Sequence, residues 1–118
     1  MATLNQCSFI GCLGKDPEMN YTPSGKAVTK FSLAVDQGKN QDTLWLTIVC
    51  WNDLAERMNE YLTKGQLVFV QGRLILRPYQ DKNKIERQAI EIIASTVQML
   101  EKGTEPMPSD ESREDVRL

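Results

Sequence analysis

The sequence predicts an all-β fold: a five-stranded Greek-key barrel with one short helix between its third and fourth strands. Three observations carry this. β-Branched and aromatic residues alternate with polar ones in several runs through the first 100 residues. One stretch, by contrast, has helical spacing. A single sheet built from those runs hides both faces only by curling into a barrel.

The first run, Leu4 to Leu13, ends at the turn Gly14-Lys15-Asp16-Pro17, and Tyr21-Thr22-Pro23-Ser24-Gly25 forms another turn, its Pro and Gly setting the backbone angles. Lys26 to Val35 alternates, with Phe31, Leu33 and Val35 on one face and Lys30, Ser32 and Ala34 on the other. A polar loop, 36–42, leads into the third strand, Thr43 to Trp51. Asn52-Asp53 offers an N-cap, with Glu56 placed for a capping box. Leu54, Met58, Tyr61 and Leu62 form the stripe of a short amphipathic helix, and Gly65 is its stop. Gln66 to Leu76 is the fourth strand, Arg77 to Lys84 a polar hairpin tip, and Ile85 to Leu100 a long final strand. Strands in this order, with a helix at that position, make the layout of the OB-fold, whose open face binds oligonucleotides or oligosaccharides. The domain is expected over residues 1–102. Residues 103–118, rich in Pro, Ser and acids and nearly devoid of apolar side chains, are expected to be a disordered acidic tail.

Composition removes most enzyme classes. The chain has no histidine, which excludes Ser-His-Asp and Cys-His catalysis and His-ligated zinc. Cys7, Cys12 and Cys50 are too few for an all-Cys zinc site and include no C-x-x-C pair, so they read as small packed thiols. No phosphate-binding loop is present: Ser24-Gly25-Lys26-Ala27 lacks the upstream Gly and the hydroxyl. No enzyme, metal or cofactor is therefore expected. The N-terminus has neither a basic leader nor an apolar core, and no run approaches the roughly 20 apolar residues of a membrane span, so the expected address is the cytoplasm. The net charge of −2 conceals an uneven distribution. Residues 64–87 hold six basic side chains against Asp81 and Glu86, whereas 101–118 hold six acids against three bases.

The third strand is the most informative segment. Leu44, Leu46, Ile48 and Cys50 share one face and suit a barrel interior, while Trp45, Thr47, Val49 and Trp51 share the other. Both tryptophans of the chain thus lie on one side. An outward pair is a base-stacking surface or a subunit interface; the third alternative is that the faces are inverted and the rings fill the barrel. In the fourth strand Val68, Val70, Leu74 and Leu76 are assigned inward, and Phe69, Gln71, Arg73, Ile75 and Arg77 outward. Tyr79 keeps the outward parity among Arg77, Lys82 and Lys84, cations for phosphates beside a ring for a base.

These residues carry a resemblance. Residues 10–18 (IGCLGKDPE), 21–28 (YTPSGKAV), Trp45 to Trp51 followed by Leu54-Ala55-Glu56, 61–65 (YLTKG), 68–74 (VFVQGRL) and 98–100 (QML) stand in the order found in the bacterial-type single-stranded DNA-binding proteins, and the chain resembles that family over about residues 4–100. The resemblance implies an OB-fold that assembles as a homotetramer and wraps single-stranded DNA in replication, recombination and repair. It places the stacking aromatics at Trp45, Trp51 (usually Phe) and Tyr79 (usually Trp). The candidate phosphate contacts are Lys15, Lys30, Arg73, Arg77, Lys82, Lys84 and Arg87.

The departures are specific. The aromatic usual in the loop after the second strand is absent from 35–39, the basic residues usual near Cys7 and at Thr47 are missing, and Ile75 and Leu76 replace the usual Arg and Thr. Fewer phosphate contacts imply weaker and less salt-sensitive binding. The final residues, Glu114-Asp115-Val116-Arg117-Leu118, do not match the family's acidic tip ending Ile-Pro-Phe, so protein docking through the tail is not expected. The lost cations and an exposed Ile75 motivate an alternative: a relative acting mainly through protein contacts, like primosomal replication protein N or an assembly partner. Self-association as a dimer rather than a tetramer also stays open.

Overall fold

A computed structural model describes residues 2–100. Six strands and one helix follow one another as β1 (Cys7–Leu13), β2 (Glu18–Tyr21), β3 (Ala27–Val35), β4 (Leu44–Trp51), α1 (Asn52–Tyr61), β5 (Leu67–Gln80) and β6 (Glu86–Met99). The sheet order is β1-β5-β6-β4-β3-β2, and a further pairing of β1 with β3, at Cys12–Ala34 and Leu13–Leu33, closes a ring. Five strands make that ring, and β2 hangs on the outer side of β3 as a short ribbon. All pairings are antiparallel except β4 with β6.

The barrel is the OB-fold expected, with two corrections. The described residues form six strands rather than five, so the helix lies between the fourth and fifth. The extra strand, Glu-Met-Asn-Tyr, is only four residues long and places just Met19 against the core, too little to show as an apolar alternation; it exists because the turn at Thr22–Lys26 folds it back onto β3. β1 is also shorter than predicted. It begins at Cys7, and the side chain of Asn5 instead extends the pairing, donating to the Leu74 carbonyl at 2.8 Å and accepting from its N–H at 3.0 Å.

Inside the barrel, Phe31, Leu33, Ile48, Cys50, Val68, Val70 and Ile92 form one buried cluster. Cys50 is packed as an apolar group, and burial pushes its thiol up to about 12, so it carries no nucleophilic thiolate near neutrality. α1 covers the barrel with Ala55 and Met58, followed by Leu62, while Leu54 packs at the edge. Tyr61, assigned to the same stripe, is exposed. No capping box forms. The helix starts one residue early, with Trp51 at the N-cap position and no side-chain cap bond, which leaves Asp53 in the first turn where it favours the helix dipole. The helix also ends at Tyr61, before Gly65, whose positive φ of 86° serves the following turn.

Thr29 pins the helix to the sheet: its buried hydroxyl donates to the Ala55 carbonyl at 2.7 Å. Thr29→Val keeps the shape and removes the bond. The expected result is a loss of about 1 kcal/mol, read in thermal unfolding as a drop of roughly 4–8 °C.

The inward assignment of β5 holds only as far as the barrel extends. Val68 and Val70 are buried, but Leu74 and Leu76 are exposed. After a register shift at Gln71/Gly72 the β5–β6 pair runs on with β4 still beside β6 as far as Glu91, and past Ile75 and Glu91 it continues as a long two-stranded arm. The inner face of the arm has no opposite wall, so alternation continues there without burial. Ile75, on the other face, is half-buried rather than exposed. No helix among the described residues is long and apolar enough to cross a membrane. The tail expected at 103–118 lies outside the described residues.

Candidate nucleic-acid interface

Strand register decides which side chains share the outer face. Thr29 and Cys50 are partners on the core side, so their neighbours Lys30 and Val49 are partners on the outer side, as are Ser32 with Thr47 and Ala34 with Trp45. Trp45 is 60% exposed and Trp51 37% exposed, both on this outer face. The inverted arrangement, with the rings filling the barrel, is thereby excluded. Val49 shares the side but is buried, flanked in register by Lys30 and Ile93.

Two local features hold the rings. A Cβ on Gly14 would stand 2.6 Å from Cζ3 of Trp45, so the indole lies across a spot that only glycine leaves open. Trp51 ends β4 where Asn52 takes a left-handed φ of 58°, a turn that asparagine tolerates. Trp51 and Asn52 line an open hollow of about 380 Å³ together with Thr22, Ser24 and Lys26. Lys26 and Asn52 were not among the predicted site residues. Their place beside Trp51 becomes visible only once β2 and its turn are folded beside the end of β4.

The cations divide into two groups. Lys30 and Arg73 belong to one cross-strand row, Glu18–Lys30–Val49–Ile93–Arg73, spanning the outer face. Lys15 is exposed in the turn after Gly14, and Lys82 and Lys84 are exposed at the arm tip. Lys15, Arg73, Lys82 and Lys84 form no salt bridge among the described residues. Arg77 and Arg87 do. Arg77 donates to Oε2 of Glu91 from Nε at 3.0 Å and from Nη2 at 2.7 Å, and Lys30 Nζ stands 4.0 Å from the same oxygen. The Glu91 carboxylate holds the Arg77 pKa above its usual value. Arg87 Nε donates to Asp81 Oδ2 at 2.8 Å.

Tyr79 is 45% exposed, on the outer side of β5 opposite Arg87. It sits on a strand rather than in the tip, since β5 runs to Gln80. The Ile75–Glu91 pair lies two outward pairs nearer the barrel. The tip itself is built on Asp81, whose Oδ1 accepts from the N–H groups of Asn83 (2.8 Å) and Ile85 (3.1 Å). The bond from Arg87 and those from the two N–H groups hold the Asp81 pKa below the usual carboxylate value. A lowered folded-state pKa contributes order that is fully present above the ordinary value of about 3.9 and lost as pH falls through the lowered one. The Asn83 and Ile85 amide resonances are therefore expected to stay put down to about pH 4 and to move only in stronger acid. Movement centred at pH 5–6 would contradict this.

Comparison with known proteins decides the affiliation. The single-strand binding protein family model matches residues 4–100. The chain belongs to this family. Relatives include the single-stranded DNA-binding protein of Neisseria meningitidis serogroup A, 42% identical over 105 residues that cover 83% of this chain and 60% of the relative. That of Clostridium tetani is 40% identical over 106 residues, covering 85% of this chain and 72% of the relative. Single-stranded DNA-binding protein 1 of Chlorobaculum tepidum is 39% identical over 105 residues, covering 82% and 65%. The match thus spans about 60% of the meningococcal protein's length. Within the family framework, the parity of β4 and the outward path of β5 follow directly from the barrel just described.

Proposed function

We propose that this protein binds single-stranded DNA without sequence preference, in replication, recombination and repair, and performs no chemistry. The observation that carries the reading is the pair of indole rings projecting from the outer face of one strand, with Lys30 and Arg73 in the row between them and exposed lysines at either end. Stacking is sequence-tolerant because every base has a π-face, and the cations supply the backbone attraction. The names of the relatives agree with it. Tyr79 is the third platform, reached by the strand along the arm. The domain runs over 1–102, and the bacterial cytoplasm, in the nucleoid, is the matching location.

Self-association belongs to the same proposal, as a homotetramer. β1 pairs with β5 along one edge and meets β3 only at its end, so residues 7–10 present an edge that no strand covers among the described residues. Ile10 is exposed there, and Leu74, Leu76 and Ile90 are exposed along the inner face of the arm, away from the tryptophans. The test is mass in solution with and without a long poly-dT strand. The reading predicts a tetramer that takes up the strand. A monomer that leaves poly-dT unbound at low salt overturns it.

A further inference from the structure

Glu91 is the anomaly of the outer face. It is the only charged residue between Ala89 and Val97, in a run otherwise apolar or hydroxylic. It is 5% exposed, yet its partners in register are Thr47 of β4 and Ile75 of β5, which places it on the tryptophan side rather than in the core. A buried carboxylate is tolerated only when paired. Its partners are two of the candidate phosphate contacts: Arg77, with Nε and Nη2 on one oxygen, and Lys30, at the limit of an ion pair.

Resting on the proposed DNA binding, we infer that Glu91 is a built-in counter-ion of the DNA face: it retains Arg77 on the sheet when the strand is bound and removes it from the phosphate contacts. Arg77, Lys30 and Glu91 together carry a net charge of +1 instead of +2. A cation held by a carboxylate neutralises no phosphate and so frees none of the strand's condensed counter-ions, which makes the salt dependence of binding shallower than the number of cations on the face implies. Arg77 then acts as Glu91's partner, and the phosphates are met by Lys30, Arg73 and the exposed lysines. Arg77 stays half-exposed and Glu91 does not, which fits a guanidinium laid over a carboxylate.

The experiment measures binding of oligo-dT by the full chain between 50 and 200 mM salt. Glu91→Gln keeps the side-chain shape and frees Arg77. The inference predicts a salt slope steeper by about 0.7, one additional phosphate, so that the affinity advantage of the variant over the wild type grows about 2.6-fold from 200 to 50 mM. The double variant Arg77→Gln/Glu91→Gln removes both charges and is predicted to keep the wild-type slope; it carries the test if the single variant does not fold. An unchanged or shallower slope in Glu91→Gln, or a double variant shallower by about 0.7, shows Arg77 on a phosphate and overturns the inference while leaving DNA binding intact. A wild-type chain that ignores oligo-dT overturns the reading beneath it.

Discussion

Trp45→Ala is expected to weaken oligo-dT binding by about 1–3 kcal/mol, the usual value of one stacked base, or roughly 5- to 150-fold in affinity. Trp51→Ala should cost a similar amount. Neither ring contributes to the buried cluster, so both variants should unfold at close to the wild-type temperature. This separation of binding from stability distinguishes a stacking surface from a structural one. Isothermal titration with a short oligo-dT, paired with thermal unfolding, makes the comparison. Tyr79→Ala should cost a comparable amount, as the third platform along the arm.

Gly72→Ala is expected to have the largest effect on the fold itself. A Cβ at this position would overlap the carbonyl oxygen of Ile93 and lie 2.8 Å from its carbon, and both are backbone atoms of the paired strand. They cannot step aside without breaking the β5–β6 ladder at the bulge, where Ile93 is also paired with Val49 of β4. Overpacking against side chains costs about 1–3 kcal/mol, and against a strand backbone the upper end of that range or more is expected. A loss of about 3 kcal/mol lowers the unfolding midpoint of a domain this size by roughly 12–24 °C. A variant that melts within a few degrees of the wild type would show that the bulge is adjustable.

The particular residues explain what could be read in advance. The direction of Trp45 and Trp51 was legible because β4 is paired on both sides, to β3 and β6, and uninterrupted alternation has one meaning there. Of its inner set, Ile48 and Cys50 are fully buried, while Leu44 and Leu46 at the start of the strand are half-buried. Leu74 and Leu76 obey the same alternation yet are exposed, because alternation reports which face a residue takes and not whether anything stands opposite. β2 escaped because only Met19 of its four residues packs against the core, and the strand is otherwise held by its pairing with β3. The ion pairing of Arg77 and Arg87 was equally invisible. Glu91 lies 14 residues from Arg77 in the chain, and only the antiparallel register of the arm brings them together. A lone acid within an apolar strand was nevertheless a signal that a partner cation must exist.

The central claim is that the two outward indoles meet nucleobases, and intrinsic tryptophan emission reports on them directly. Titrating the full chain with oligo-dT at low salt, alongside a co-sedimentation measurement of binding, is predicted to quench that emission in step with the bound fraction. The Trp45→Ala and Trp51→Ala variants should each retain part of the quenching. DNA that sediments with the protein while the emission stays unchanged would contradict the account.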